Sequence, residues 1–295
     1  MSEQGRTAVT VLGLGSMGSA LANAFLAAGR PTAVWNRSPE RAAPLVRDGA
    51  AQHRHIADAV AAGAVIIACF STFGATRDSL AQVDLRGRDL ITLNSGSPAE
   101  AREFARWVSE RGARLLAGAI KNVPSAVGNA DTLLYFGGDR AVFDEHTDTL
   151  RVLGGDLEFL GPEPDLAALY ESAVGATLLP ALLGFLEGAA ILATRGYRAQ
   201  TMVGHSVKWL QMIESILPVV AEEIDERDYT RLGSSIELFH HAIDQDVQLG
   251  AESGVDLSWH APMHELVRRA VAEGRGEQSI TALVELLAPP ARPKP

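Results

Sequence analysis

The chain has 295 residues, 47% of them hydrophobic and 21% charged, so it can bury a large core and is long enough for two domains. With 26 basic against 36 acidic residues the net charge is -10, which argues against a polyanion-binding surface, and so against nucleic acid, and leaves phosphate binding to local features. The single cysteine, Cys69, lies in an apolar run; it excludes an internal disulfide and a cysteine-based metal cluster, and fits a reducing, cytoplasmic compartment.

Along the first half, short β-branched runs alternate with helical patterns at the spacing of successive βα units, with strands expected at 9–12, 32–35, 65–69, 90–93, 115–119 and 132–136. That alternation predicts a parallel sheet. Between the fourth and fifth strands, Ser97-Pro98-Ala99-Glu100 places a capping serine, a proline at the first helical position and a glutamate at the third, so a helix should start there. It should end near Arg111-Gly112. After about Gly161 no further strand is expected, and the chain reads as helices punctuated by Gly and Pro. The first of these runs over 165–195, about 30 residues or some 45 Å at the α-helical rise. Pro180 sits in its interior and should kink it or break it in two. The apolar stretch 166–186 is interrupted by Tyr170, Glu171 and Thr177, and the N-terminus lacks a basic-then-apolar leader pattern, so no membrane partner is expected.

The most informative motif is Gly13-Leu14-Gly15-Ser16-Met17-Gly18. It follows the apolar strand 9–12 and opens a helical pattern over 19–28, the context in which a glycine-rich turn binds a dinucleotide. Gly13 allows the tight turn, Gly15 lets backbone approach a pyrophosphate, and Gly18 permits close contact of helix and strand. The pyrophosphate would meet the helix N-terminus, where free amides and the dipole favour an anion. The second strand ends in Trp35-Asn36-Arg37-Ser38. No carboxylate stands there to receive a ribose 2'-hydroxyl; Arg37 instead offers a charge-assisted fork for a 2'-phosphate, with Asn36 and Ser38 as neutral donors. NADPH is therefore the expected cofactor, held in a Rossmann domain. Adjacent His240-His241 and the i, i+4 pair His260 and His264 have no well-placed third ligand in the sequence and no HExxH glutamate, so no metal is expected.

The glycine turn, Trp35-Asn36-Arg37-Ser38, Asn94-Ser95-Gly96-Ser97-Pro98, and Gly118-Ala119-Ile120 with Val123-Pro124 and Gly128 resemble the imine reductases. So do Leu169-Tyr170-Glu171, Trp209-Leu210, Ile224-Asp225, Gly254-Val255-Asp256 and Ala272-Glu273-Gly274, so the resemblance spans almost the whole chain. It implies an α/β fold like that of 6-phosphogluconate dehydrogenase: a doubly wound Rossmann domain over 1–162, a long interdomain helix over 163–195, and an all-helical dimerisation and substrate domain over 196–288; the linker-like, proline-rich composition of 289–295 is read separately as a disordered tail. It implies a domain-swapped homodimer whose substrate is a small-molecule imine, reduced to an amine, with reductive amination in some members. The cofactor residues it implies, beside the glycine turn and residues 36–38, are Cys69, Phe70, Ser71, Asn94 and Ser95. Ser95, Lys121, Val123, Tyr170, Ala176, Leu179, Trp209, Met212, Phe239 and His240 would line a substrate pocket.

Glu171 is the only charged residue between Asp165 and Glu187, and burial there would raise its pKa toward a value useful for proton donation. The related β-hydroxyacid dehydrogenases carry a lysine at the corresponding point. A carboxylate suits a cationic iminium instead, holding the charge or delivering a proton to nitrogen. Glu171 is thus the candidate catalytic residue. Imine reductases commonly have Asp or Tyr there, and many with Asp have a tyrosine two turns later, where this chain has Leu179; Lys121 and Tyr170 are the other candidate donors. Two readings stand beside imine reduction: a β-hydroxyacid dehydrogenase acting on a small hydroxy acid or semialdehyde, and an NADPH-binding dimer without turnover.

Overall fold

A computed structural model describes residues 8–287; the predicted tail over 289–295 lies outside the described residues. The chain divides into two units between Ala176 and Thr177. The first carries β1 (Val9–Leu12), α1 (Ser16–Ala27), β2 (Thr32–Trp35), α2 (Ala43–Arg47), β3 (Ala51–Gln52), α3 (Ile56–Ala62), β4 (Val65–Ala68), α4 (Phe73–Leu80), β5 (Asp89–Thr92), α5 (Pro98–Ser109), β6 (Arg114–Lys121), β7 (Leu133–Gly138), α6 (Arg140–Leu150), β8 (Asp156–Gly161) and α7 (Leu166–Gly175). The eight strands form one sheet in the order β3-β2-β1-β4-β5-β6-β7-β8. Chain order reverses at β1, whose neighbours are β2 and β4, and in an open α/β sheet ligands bind beyond the strand ends at such a switch point.

Every residue of β1, β4 and β5 is buried, as expected of central strands covered on both faces. Val9 and Val11 pack with Leu21 and Phe25 of α1 and Val142 of α6. On the other side Leu12, Ile66 and Leu90 pack with Val60, Leu80 and Phe104. The capping box at α5 has both halves: the Glu100 carboxylate accepts from the Ser97 N–H at 2.7 Å, and Ser97 Oγ accepts from the Glu100 N–H at 3.2 Å. At the amino ends of β5 and β6, Arg114 Nε and Nη2 each lie 2.7 Å from the Asp89 carboxylate, which also meets His146 Nε2 at 2.8 Å.

All six predicted strands are present, and two more join them. β3 is a two-residue exposed strand and β8 lies at the opposite edge; both are too short or too alternating to stand out as buried runs. The sheet is also not wholly parallel as predicted. β7 runs antiparallel to β6, pairing Leu116 with Gly138 through to Lys121 with Leu133. The intervening residues form only a short 3-10 turn at Pro124–Ala126, and a parallel return would need a crossover helix.

The second unit holds α8 (Leu178–Ala193), α9 (Val203–Glu226), α10 (Ile236–Ser253), α11 (Ala261–Ala272) and α12 (Val284–Leu287). The helix expected over 165–195 is broken at Ala176–Thr177. Pro180 lies four residues beyond Ala176, so it withholds the amide that the Ala176 carbonyl would need and crowds it with its ring. The core of this unit gathers Tyr229, Ile236, Ile243, Val267, Ala270 and Ala282. Glu223, fully buried, accepts from the backbone N–H groups of Arg231 at 2.6 Å and Leu232 at 2.9 Å and from Ser279 Oγ at 2.5 Å. α8 contributes no buried residue.

Candidate active site

The glycine turn has the geometry its spacing predicts. Gly13 has φ +90°, and a Cβ on it would stand 2.6 Å from the Cys69 carbonyl oxygen. A Cβ on Gly18 would come to 1.9 Å from the Gly13 carbonyl oxygen, so helix and turn touch there without room for a side chain. At Gly15 nothing lies within 4 Å of that position, leaving open space where a pyrophosphate would approach. No side chain caps the N-terminus of α1, so its first amides face an anion site unsatisfied by the protein. These features fit a dinucleotide.

Two asparagines hold the loops in place. Asn36 Oδ1 accepts from the Leu14 N–H at 2.9 Å while its amide donates to the Ser38 carbonyl at 3.0 Å. Asn94 Oδ1 accepts from the Phe70 N–H at 3.0 Å and its amide donates to Thr76 Oγ1 at 2.6 Å. Each strand end is thereby tied to the loop of its neighbour. Both are expected cofactor residues; their amides brace the loops beside the glycine turn, and Asn94 also lines the cleft at the strand ends.

A cleft of ≈ 310 Å³ opens beyond the carboxyl ends of β1, β4 and β5. It collects Gly15 to Gly18 from the turn, Cys69, Phe70 and Ser71 after β4, Asn94 and Ser95 after β5, and Glu171 from α7. Burial pushes the Glu171 carboxyl above its ordinary value, against the opposing effects of the Lys121 charge and a hydrogen bond from Ser95. Lys121 Nζ donates to the backbone carbonyl of Glu171 at 2.9 Å, which fixes it at the last turn of α7, where a cation is favoured. Burial lifts the Cys69 thiol to about 11, so it lines the cleft as a neutral group. Among the described residues of this cleft, Glu171 is the only carboxyl.

A second cleft, ≈ 670 Å³, is lined by Trp35, Arg37, Phe70, Ser71, Thr72 and Asp78. Phe70 and Ser71 border both clefts, which gives an extended ligand one continuous path. Arg37 is exposed and, among the described residues, has no hydrogen-bond or ion-pair partner. Its fork is free for a phosphate.

Residues 8–161 match the family model of the NAD binding domain of 6-phosphogluconate dehydrogenase, and residues 163–289 match the NADPH-dependent reductive aminase-like C-terminal domain. An NADPH-dependent reductive aminase of Aspergillus oryzae is 30% identical over 282 residues, covering 94% of this chain and 96% of that protein. The chain belongs to the NADPH-dependent imine reductase and reductive aminase family. A reductive aminase from Aspergillus terreus, solved with NADPH4, cyclohexanone and allyl amine, is similar with a TM-score of 0.90 at 32% identity, covering 96% of this chain and 99% of that one. An imine reductase from Pseudomonas sp. gives a TM-score of 0.91 at 27% identity, with coverage of 96% and 100%. As a member of this family the protein is an NADPH-dependent oxidoreductase of the class acting on C=N bonds.

The other residues that the imine reductase resemblance implies are divided between the two units. Tyr170 packs its ring on Tyr135, with centroids 6.0 Å apart, and does not line the Glu171 cleft. Val123 is exposed beyond β6, and Ala176 follows the last residue of α7. Leu179, Trp209, Met212, Phe239 and His240 are partly or largely exposed residues of α8, α9 and α10 in the second unit; Trp209 lines a separate cleft there with Pro180, Met202 and His205. Leu93, Ala119 and Ile120 border the Glu171 cleft without having been singled out as site residues. Their signal is positional: Leu93 directly follows a parallel strand, where ligands gather in such sheets.

Proposed function

We propose that the protein reduces cyclic imines or iminium ions to amines, and couples ketones with amines reductively, with Glu171 serving the substrate nitrogen. When bound, NADPH supplies the hydride that the C=N carbon takes up. The observation that carries the proposal is the placement of one carboxyl, with its pKa raised by burial, in the cleft that the glycine turn begins. In its protonated form Glu171 can deliver the proton that completes the amine; ionised, it holds a cationic nitrogen in place. Ser95 donates to this carboxylate and so orients it. A β-hydroxyacid dehydrogenase would carry a lysine on the long helix, where this chain has Glu171; Lys121, from β6, donates to the Glu171 backbone carbonyl. Following NADPH absorbance separates the readings. Oxidation is expected with a cyclic imine and not with a β-keto or semialdehyde acid; the reverse pattern would make the enzyme a dehydrogenase, and no oxidation with either would leave a binding protein.

The same proposal includes a homodimer, in the cytoplasm, where NADPH and a free Cys69 both persist. Leu178, Leu179, Leu182 and Leu186 of α8 are 65%, 64%, 50% and 60% exposed, an apolar surface that water alone does not stabilise. By length and composition the stretch Leu166–Ala193 could also cross a membrane, but its first turns carry Ala167 and Ala168 into the packing of the first unit. A second copy is the occupant we favour. An obligate interface of this kind should bury upwards of about 2,000 Å² and couple dissociation to unfolding. Light scattering at micromolar concentration should give twice the mass of one chain; an active monomer would exclude the dimer.

A further inference from the structure

Besides the cleft of the first unit, the helical unit holds a second cluster of polar side chains that imine reduction does not use. Asp246 of α10 lies between two histidines at the start of α11: His264 Nε2 is 3.0 Å and His260 Nδ1 is 3.5 Å from the same carboxylate oxygen, Oδ2. The other ring nitrogen of His260, Nε2, is 2.8 Å from Glu187 Oε2 of α8, an oxygen that also accepts from the Trp259 indole N–H at 2.8 Å. The two imidazoles and Glu187 are each only 15% exposed.

We infer that Asp246, His260 and His264 form a binding site for one tetrahedral divalent transition-metal ion of the zinc class, with Glu187 as the positioning residue for His260. His260 Nε2 lies within hydrogen-bond distance of Glu187 Oε2, and in the tautomer that donates to Glu187 the Nδ1 lone pair faces Asp246 Oδ2. In that tautomer a metal ion between the two atoms would take the place that a proton on Nδ1 otherwise fills. The 3.5 Å separation exceeds the ordinary range of a hydrogen bond, but it suits two ligands of one ion. With ligand bonds of about 2.0–2.1 Å, neighbouring donor atoms of a tetrahedral site stand roughly 3.3 Å apart, and the observed 3.0 and 3.5 Å straddle that value. All three donor atoms lie within 4.8 Å of one another. A ligating histidine whose second nitrogen donates to a carboxylate is the usual outer-sphere arrangement around a bound metal.

The cluster Asp89, Glu145 and His146 of the first unit makes the contrast. There the Arg114 guanidinium already sits on both carboxylates at 2.7 Å, so the cation is built in. At Asp246 the described residues show no lysine or arginine in an ion pair. Arg268 borders the neighbouring ≈ 340 Å³ cleft, which Asp246 and His264 also line, and this cleft gives an ion and its fourth ligand, water, a way in. The pair His260 and His264 thus acquires from α10 the third ligand that its own sequence neighbourhood lacks. A bound ion would tie α10 to α11, and through Glu187 to α8.

Untagged protein, dialysed against chelator, should be titrated with Co²⁺ alone and then with Zn²⁺ as competitor. One Co²⁺ per chain with the intense visible bands of tetrahedral coordination is expected, displaced by Zn²⁺. Asp246→Asn and His264→Gln should abolish those bands, Glu187→Gln should weaken binding by roughly 10–100-fold, and the double change His240→Gln, His241→Gln should leave binding intact. Circular dichroism separates loss of ligands from loss of fold, and the wild-type spectrum is decisive by itself. Absence of tetrahedral bands in the wild type, or bands that survive both Asp246→Asn and His264→Gln in folded protein, would overturn the site and leave a proton-bridged ion-pair network.

Discussion

Glu171→Gln is expected to lower kcat for imine reduction by about 10²-fold or more, the usual scale for loss of a general acid, with little change in NADPH affinity. Glutamine keeps the shape of the side chain and its contact with Ser95 but removes both the charge and the transferable proton. The carboxyl sits where burial raises its pKa, while Lys121 and Ser95 pull it back. A raised pKa means that the acid form persists to higher pH than for an ordinary glutamate. Proton donation should therefore fail as pH climbs through this elevated value, and Lys121→Met, which removes an opposing positive charge, should carry that failure to still higher pH. Unimpaired turnover by Glu171→Gln across several imines would pass the proton to water, Lys121 or Tyr170.

Arg37→Ala should weaken NADPH by roughly tenfold or more and leave NADH nearly unchanged. Loss of a charge-assisted hydrogen bond to the 2'-phosphate costs on the order of 1.5–3 kcal/mol, and NADH has no phosphate to lose. Among the described residues Arg37 has no competing partner, and it borders the cleft that continues past Phe70 and Ser71. Its removal therefore disturbs little else. Isothermal titration with each cofactor checks the difference, and equal losses for both would show that the arginine does not read the phosphate.

Those parts of the fold and site that depend on neighbouring residues were legible in the sequence. The glycine turn, the capping box at Ser97 and the break imposed by Pro180 each arise from sterics or hydrogen bonds within a few positions, and the structure shows all three. Elements set by distant partners were less legible. β8 alternates polar and apolar residues at a sheet edge, so it lacks the continuous apolar run of β1 or β4. The reversed direction of β7 follows from a connection without a helix, which strand patterning does not encode. The bracing roles of Asn36 and Asn94 were not legible because sequence displays an amide without its partner, and the partners lie 22 and 24 residues away. The same distance effect hid Asp246, which comes 14 to 18 residues before the histidines it joins.

The bracing by Asn36 bears on how cofactor preference can drift. At the end of β2 one residue maintains the shape of the glycine turn, through the Leu14 N–H and the Ser38 carbonyl, and the next, Arg37, is the residue proposed to meet the distinguishing phosphate. On that proposal, shape and selectivity fall to adjacent but separate positions. A lineage, or an engineer, can retune position 37 toward NADH while the turn stays folded. An acidic residue at position 36 would instead keep the acceptor for Leu14 but lose the donor to Ser38, setting two carbonyl-type oxygens against each other. The accessible route to a new cofactor therefore runs through the arginine, while the asparagine beside it is held by its two hydrogen bonds to the loops.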